Sequence, residues 1–452
     1  MSDLHTADGS DTALSPCVLL LAADEGNLNV GDQAMYLNAC RRLRKQFPSA
    51  RIVAVGRELA RSISADSVER TAAGHKHFHA GTGRLACLTR TKRGQQATLL
   101  VRMASLLLAA ASKSYFVYRW LWNEDCRAIL DMIDHADVVV SCGGGYLNSI
   151  WRQDQLWPKA ALYRAAALLG KPVILSGQGI GPITSRLDKL VLKLALNSAQ
   201  FIGLREAGEG EAYLAGLGIP SSKYAVIGDD AVDLPTCSAA RLEQILAEEG
   251  VDTDRPWVVA NFRSTAYTSH YRSSQYVALA ALLDRVVEAH GYSVLFVPFC
   301  YDDEGRVDDR TAAFDVTKHM KHRDAAHIIM GEYRPEEIKA LVGTGQIAVG
   351  VSYHFAVFSL TQGIPCFTPY DNEYYRLKMK GLHAQFGDRD WLYALNTDGM
   401  SDMEQSIRIA LADHHRVRQE LLAATQQMVQ RVDQVYALVD RVVQERNVTH
   451  AE

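Results

Sequence analysis

The chain has 452 residues, with 48 Lys and Arg against 52 Asp and Glu and a formal net charge of -4. Its length exceeds what a single hydrophobic core usually serves, which predicts two domains. The near balance of charge gives no reason to expect a general affinity for nucleic acid or membranes. A small-molecule or local ligand is therefore predicted.

Two features of the chain predict a cytoplasmic protein. Residues 1–16 are polar and slightly acidic, and they lack the basic start and apolar run of a secretory signal. The eight cysteines form no CxxC pair, and most of them lie in apolar runs, as reduced core thiols do.

Short β-rich runs alternate with longer helical patterns, which predicts βαβ units, parallel sheets and an α/β fold. Ten strands are predicted, at residues 18–22, 51–55, 137–141, 172–176, 201–204, 224–227, 257–261, 293–298, 346–351 and 366–369.

A polar linker divides these strands into two sets. A domain boundary is predicted within residues 235–256, which gives an N-terminal domain at 17–235 and a C-terminal domain at 236–452. From about Ser401 to Arg446 the sequence has helical periodicity without a strand signal. These helices are expected to close the second domain and to cross back onto the first.

The segment from Thr71 to Asn123 contains no Asp or Glu but accumulates basic residues. These are Lys76, Arg84, Arg90, Lys92, Arg93, Arg102, Lys113 and Arg119. Its apolar run at 97–111 contains Arg102 and is too short to span a bilayer. We predict a helical insertion at about 84–122 that packs on the first domain. A weak contact with a membrane surface is the alternative.

Three glycine-containing motifs follow predicted strands of the first domain. The first, Asn29 with Gly31 and Asp32, precedes a helical pattern, with Asp32 predicted as the N-cap. Such a helix start can bind an anion or a sugar hydroxyl, although an ordinary capped turn fits equally well. The second is the loop Gly143, Gly144 and Gly145, followed by Asn148, in which three glycines expose backbone N–H groups to a polar ligand.

The third motif, SGQGIGP with Gln178, matches a dinucleotide-binding fingerprint only loosely, and no acidic ribose partner stands at the expected place. The chain contains no GxxxxGK[ST] sequence, so a P-loop is excluded. His75, His77 and His79 alternate in a predicted loop without a neighbouring cysteine or carboxylate, and no metal site is predicted.

A fourth motif follows the predicted strand at 346–351. Ser352 is expected to cap a helix, which would place His354 in the first turn, at the end of the sheet where open α/β folds bind ligands. A structural role for this histidine is the alternative. Downstream, Arg376 and Lys378 lie beside two tyrosines and suit a carboxylate or phosphate, or else a solvated basic loop.

Taken in order, NVGDQA, GGGYLN, SGQGIGP, the Arg205-Glu206 pair, VIGDDA and SYHFAVFSLTQGIP resemble the polysaccharide pyruvyl transferase family. The resemblance spans roughly Val18 to Leu382. It implies a GT-B-like fold, with two Rossmann-like domains facing a cleft. It also implies transfer of the enolpyruvyl unit of phosphoenolpyruvate onto two hydroxyls of a sugar or glycan, which gives a pyruvate ketal and phosphate.

The resemblance and the chemistry together suggest roles for individual residues. His354 and Asp32 would be catalytic, with Asp230 as the alternative base. The predicted donor-binding residues, in the second domain and at one position of the first, are Ser352, Tyr353, Arg376, Lys378, Arg205 and Arg263. The predicted acceptor-binding residues are Asn29, Gly31, Gly143, Gly144, Gly145, Asn148 and Gln178. No cofactor is implied, because phosphoenolpyruvate is a co-substrate.

One departure from the family pattern bears on the donor. The family often carries Arg two residues before the histidine, where this chain has Ser352. Arg376, Arg263 or Arg205 would then have to replace it in space. A GT-B glycosyltransferase that uses a nucleotide sugar and a non-catalytic sugar- or anion-binding protein are the competing interpretations. Self-association and contact with the inner face of the membrane stay open.

Overall fold

The computed structural model describes residues 15–21, 29–56, 68–71, 78, 91–112, 124–263, 273–301, 308–387 and 389–451. Within these residues, fourteen strands form two sheets of eight and six strands. Every strand pairing in both sheets is parallel. Parallel neighbours need long crossover connections, and in the part of the chain that the structure describes helices supply them.

The first sheet has the order β3-β2-β1-β4-β6-β7-β8, with β5 paired to β6. Its strands are β1 (Cys17–Leu21), β2 (Arg51–Val55), β3 (Glu69–Thr71), β4 (Val138–Ser141), β5 (Gly144–Leu147), β6 (Val173–Ile180), β7 (Phe201–Leu204) and β8 (Tyr224–Val226). The described helices that accompany it are α1 (Val30–Gln46), α2 (Lys92–Ser112), α3 (Glu124–His135), α4 (Trp157–Leu168), α5 (Arg186–Asn197) and α6 (Glu209–Gly216).

The second sheet has the order β11-β10-β9-β12-β13-β14. Its strands are β9 (Trp257–Asn261), β10 (Ser293–Phe296), β11 (Ala326–Ile328), β12 (Gly345–Gly350), β13 (Cys366–Tyr370) and β14 (Leu392–Ala394). The described helices of the C-terminal half are α7 (Ala239–Glu248), α8 (Ser273–His290), α9 (Asp309–His319), α10 (Pro335–Val342), α11 (Tyr353–Thr361), α12 (Glu373–His383), α13 (Thr397–Ala412) and α14 (His414–Ala451).

Each sheet reverses its strand order at one point, between β1 and β4 in the first and between β9 and β12 in the second. Open α/β sheets bind ligands in the crevice outside the carboxyl ends of the strands at such a switch point. The motifs at 29–32, 143–148 and 352–354 follow β1, β4 and β12. The fold therefore gathers the motifs at the two places where it forms crevices.

All ten predicted strands are present, and the predicted α/β fold is confirmed. Four short strands, β3, β5, β11 and β14, were not predicted. The prediction of a loop at the glycine run was wrong, because Gly144 pairs with Gln178 and Leu147 with Ile180 to form β5. The short strands that were predicted, such as β4 and β10, contain continuous apolar runs, whereas β3 (ERT) and β11 (AHI) contain polar residues and β5 contains two glycines.

Successive residues of β1 point into two separate cores. Val18 and Leu20 lie in a core that continues into the second sheet and the last helix. Leu19 and Leu21 lie in the other core, beneath α2, α3, α4 and α5. The first sheet is thus covered by one helix layer on its outer face and by α1 and α14 on its inner face.

The helical insertion predicted at 84–122 coincides in part with α2, which packs against α4. The rest of it, at 84–90 and 113–122, lies outside the described residues. None of the described helices combines the length and the apolar character needed to cross a membrane.

The last helix, α14, contacts both halves of the chain, since it packs against α11 and also against α1, β4 and β6. Arg42 of α1 anchors it, with Nη1 2.5 Å from Asp433 Oδ1 and the guanidinium 5.5 Å from the centre of the Tyr436 ring. Arg446 Nη1 donates to Gly170 O at 2.6 Å. The chain therefore ends on the first domain after completing the second.

Replacement of Tyr436 by alanine should test this anchor. The ring is 3% exposed, so Tyr436→Ala should lower the free energy of unfolding by about 3–5 kcal/mol through a large cavity. Chemical denaturation measures the change. Tyr436→Phe should be nearly neutral, because the buried hydroxyl has no hydrogen-bond partner among the described residues. The exposed Gln434→Ala is the control, and an equal loss in that variant would contradict the assignment.

Candidate active site

The N-terminus of α11 places His354 at the carboxyl end of the second sheet. Ser352 occupies the N-cap position with φ -76° and ψ 134°, so Tyr353 and His354 form the first turn, as the sequence predicts. The expected side-chain cap is absent, because the buried Ser352 Oγ makes no hydrogen bond with any described residue. His354 is 7% exposed, so it is enclosed by protein.

The N-terminus of α1 lies opposite, and its cap is Asn29 rather than Asp32. Asn29 Oδ1 accepts from the Gly31 amide at 3.0 Å, which leaves Asp32 within the first helical turn. The prediction of Asp32 as the cap was wrong, because the chain already turns helical at Val30. Asn29 also forms an antiparallel bridge with Cys300 of the second domain.

Gly31 and His354 are in direct contact across the domains. A Cβ atom at position 31 would lie 1.9 Å from His354 Nδ1, well inside van der Waals contact. The imidazole therefore occupies the space that any side chain at position 31 would need. Glycine is required here for close approach rather than for an unusual backbone angle.

Asp229 faces the other nitrogen of the imidazole. Its Oδ2 lies 3.3 Å from His354 Nε2 and 3.8 Å from Arg205 Nη1, while its Oδ1 accepts from the Ala231 amide at 2.8 Å. Burial by itself raises the pKa of Asp229, but His354 and Arg205 outweigh it and bring the pKa below its ordinary value. Asp229 is therefore a buried carboxylate between a histidine and an arginine.

Arg205 and Lys378 meet around the ring of Tyr353. The Arg205 guanidinium is 4.0 Å and Lys378 Nζ is 5.2 Å from the ring centre. Arg205 is 2% exposed and pairs with Glu206 at 2.6 Å. Burial and the nearby Arg205 lower the pKa of Lys378 to about 8, although Glu206 and Asp32 act in the opposite direction.

These groups border one small cavity, which we call the cation pocket. It is lined by Arg205, Lys378, Glu206 and Tyr374, together with the backbone of Gly145, Gly179 and Gly181 and five further residues. The lining thus combines two cations, Arg205 and Lys378, with two carboxylates, Glu206 and Glu209. The guanidinium and the ammonium are the groups of this pocket that suit an oxyanion such as a carboxylate or phosphate.

Asp32 lies beside this pocket and His354. Burial raises the pKa of Asp32 above its ordinary value. His354, a hydrogen bond from Tyr146 and the charges of Arg205 and Lys378 act in the opposite direction but do not outweigh burial. A carboxyl group with a raised pKa beside a histidine is an arrangement typical of general acid–base sites. Gly144 permits this arrangement, since a Cβ there would lie 2.0 Å from Tyr146 Cε2.

Asp230 holds the glycine loop in place. Its Oδ2 accepts from the Gly143 amide at 2.6 Å and its Oδ1 from Ser176 Oγ at 2.5 Å. Burial raises the pKa of Asp230 to about 6, although these two hydrogen bonds by themselves would lower it. The side chain is fully buried, so both oxygens are directed to the protein itself.

Asn148 and Gln178 also bond the strand ends around this loop. Asn148 Nδ2 donates to Gly145 O at 2.6 Å, and its Oδ1 accepts from the Ile150 amide at 2.9 Å. Gln178 Nε2 donates to Cys142 O at 2.7 Å. The backbone of Gly145 lies close to the Arg205 guanidinium, since a Cβ atom at position 145 would be 3.1 Å from Arg205 Nη2. These residues shape the wall of the pocket.

The two remaining predicted cations lie at different places. Arg263 Nε donates to Asp309 Oδ1 at 3.0 Å, and its charge contributes to the lowered pKa of Lys378. Arg376 pairs with Glu373 at 2.6 Å on α12. Side chains two positions apart on a helix point in nearly opposite directions, so the structure does not bring Arg376 to Lys378.

Metal-binding residues do not gather in the described part of the chain, where no group of three His, Cys, Asp or Glu side chains could hold an ion. His75, His77 and His79 lie outside the described residues. Sequence reasoning missed Asp229 and did not assign Glu206 a role. The adjacent aspartates 229 and 230 after β8 were the available signal for the first of these.

The fold is that of the GT-B class, as solved structures indicate. A glycosyltransferase from Rickettsia africae matches with a TM-score of 0.56 and 9% identity, covering 96% of this chain and 98% of that one. UDP-GlcNAc 2-epimerase from Neisseria meningitidis, bound to UDP-GlcNAc, matches with a TM-score of 0.52 and 13% identity, covering 92% and 98%. At such identities the likeness concerns the fold alone.

The family profile of the polysaccharide pyruvyl transferases matches residues 29–374, from the N-cap of α1 to the start of α12. The chain belongs to the polysaccharide pyruvyl transferase family and is a transferase. The family and the GT-B-like fold predicted from the ordered motifs are both confirmed.

The lowered pKa of Lys378 can be measured directly. Acetylation across a pH series, read by mass spectrometry, should give an apparent pKa of about 8 for Lys378, against roughly 10.4 for an ordinary lysine. Glu206→Gln should lower the pKa further, because it removes a negative charge that favours the ammonium form. Titration of Lys378 near the ordinary value, or insensitivity to Glu206→Gln, would contradict the described pocket.

Proposed function

We propose that this transferase uses phosphoenolpyruvate as donor and forms a pyruvate ketal on two hydroxyls of a sugar or glycan. The donor's methylene carbon gains a proton and becomes a methyl group. Both acceptor oxygens form bonds to the adjacent carbon, and the bond from that carbon to phosphate breaks. The acceptor loses two hydroxyl protons. One of them balances the proton that the methylene carbon gains, and the other is taken up by the released phosphate. The proposal rests on family membership and on the cation pocket beside His354.

Arg205 and Lys378 are proposed to hold the donor's carboxylate and phosphate. A guanidinium suits a bidentate oxyanion, and an ammonium suits phosphate as a point charge. Arg205 stacks on Tyr353, the residue next to Ser352, so its charge lies beside the position where the family often carries Arg. Among the three candidates for that replacement, Arg205 is supported by this stacking, and Arg263 contributes at longer range.

His354 is proposed as the proton donor to the methylene carbon. Its imidazole lies between Asp229 on one side and the Gly31 turn on the other, and Asp229 also faces Arg205. An imidazole can donate a proton, and the surrounding protein excludes water from the transfer. Asp229 acts through the imidazole and is proposed as a positioning residue.

Asp32 is the better candidate for the base that accepts the hydroxyl protons. It is adjacent to His354 and to the pocket, and burial raises its pKa. Asp230 also has a raised pKa, but both of its oxygens accept hydrogen bonds from Gly143 and Ser176. We therefore propose that Asp230 supports the glycine loop while Asp32 faces the acceptor, with Asn29, Gly31 and the loop on the same wall.

Donor identity is tested by binding, because this needs no knowledge of the acceptor. Phosphoenolpyruvate should raise the melting temperature of the protein, since a ligand that binds only the folded state stabilises it. Lys378→Met should abolish this rise. Lys380→Met, an exposed lysine on the same helix, is the matched control and should retain it. Stabilisation by UDP-sugars but not by phosphoenolpyruvate would favour the glycosyltransferase interpretation instead.

The role of His354 is tested by a pair of substitutions. With a panel of mono- and disaccharide acceptors, His354→Ala should lower phosphate release by about a hundredfold, a typical loss for a general acid. His354→Gln keeps a hydrogen-bond donor but cannot transfer a proton, so it should be equally inactive. The half-buried His414→Gln is the control and should stay active. Activity rescued by Gln would assign His354 to binding, and full activity in both variants would remove it from the site.

A further inference from the structure

An apolar surface lies on the outer face of the first domain, away from the cleft. Helix α4 packs between α2 and α5, and all three cover the second of the two cores. Eleven large apolar side chains are exposed among the described residues, and six of them belong to α2 and α5. These six are Leu100, Val101, Leu108, Leu187, Leu190 and Leu194. We call them, with the bases of α5, the α2–α5 face.

The exposed side of α5 alternates leucine with basic residues. Its leucines, at 187, 190 and 194, recur with helical spacing, and its bases, at 186, 189 and 193, recur with the same spacing one position earlier. Leu190 and Leu194 are each 52% exposed. This arrangement buries nothing in the monomer, because the core side of α5 is formed by other residues such as Leu192 and Leu196.

The only acidic residue of α5 is turned away from this surface. Asp188 is fully buried, with Oδ1 2.7 Å from Arg152 Nε and 3.0 Å from Trp157 Nε1. In sequence, α2, α4 and α5 together contain eight Lys and Arg but only this one acid. Arg102 and Lys159 are buried, and the neighbouring α3 carries acidic residues. The exposed bases of this face are therefore those of α5, at 186, 189 and 193.

We propose that the α2–α5 face lies on an anionic lipid surface. Exposed leucines would enter the boundary between headgroups and acyl chains, while the long stems of Lys189 and Lys193 would lie along it with their ammonium groups at lipid phosphates. Each base near an anionic leaflet adds attraction, and the attraction weakens with salt. A second copy of the chain is disfavoured as occupant, because two basic faces would repel each other.

The position of this surface relates it to the cleft. The loop that leads into α5 begins at Gly181, which lines the cation pocket with Arg205 and Lys378. One loop therefore connects the pocket to this surface, which itself lies on the outer face of the domain. The binding of lipid does not depend on which donor the enzyme uses.

Flotation with lipid vesicles tests the proposal on the full chain. The protein should float with vesicles of phosphatidylcholine and phosphatidylglycerol, and not with phosphatidylcholine alone. Leu190→Ser combined with Leu194→Ser, and separately Lys189→Gln combined with Lys193→Gln, should each lower partitioning by roughly tenfold or more. Phe314→Ser and Ile409→Ser remove exposed apolar residues of the second domain and should bind like the unaltered protein.

Other outcomes would overturn the proposal. The unaltered protein could remain unbound, or bind vesicles of both compositions equally and without dependence on salt. The α5 variants could also float as well as the controls. Light scattering after size exclusion distinguishes self-association, because a dimer that the leucine variant converts to a monomer would assign the face to a second copy. Melting temperatures of all variants should match, so that a folding defect is recognised.

Discussion

The close approach of the His354 imidazole to the backbone of Gly31 is the contact on which the cleft depends. It joins the N-terminus of α11, from the second domain, to the N-terminus of α1, from the first. The amide of Val30 donates to Phe299 O at 2.9 Å directly beside it. Because α1 also packs against α10, α11 and α14, the spacing of the domains at this point is set by packed helices rather than by a loop.

A row of ionisable groups extends from this contact through the site. Asp32, His354, Asp229, Arg205, Glu206 and Lys378 follow one another, and most of them are buried. Buried ions are costly unless each finds an opposite charge. The neighbouring carboxylates do not fully offset the burial of the Lys378 ammonium, as its lowered pKa indicates. An anionic ligand would stabilise its charged form.

The ten main strands and the positions of the motifs at their ends could be predicted from the sequence, because both depend on local pattern. Buried parallel strands read as continuous apolar runs, and crevices form where those strands end, so His354 could be placed in a first helical turn from local pattern alone. The cap of α1 was assigned to Asp32 instead of Asn29, because both residue types are good caps and only the backbone angles choose between them. The pairing of Asp229 with His354 joins residues far apart in the chain and has no local signal.

The substitution at Ser352 changes which domain would supply a cation to the donor. An arginine at that position would belong to the second domain, as His354 and Lys378 do. Arg205 reaches the same neighbourhood from the end of β7 in the first domain, over the ring of Tyr353. A donor anion held by Arg205 and Lys378 together would join the two domains across the cleft. Such a donor would stabilise the arrangement of the two domains around Gly31, because it would contact a residue of each domain.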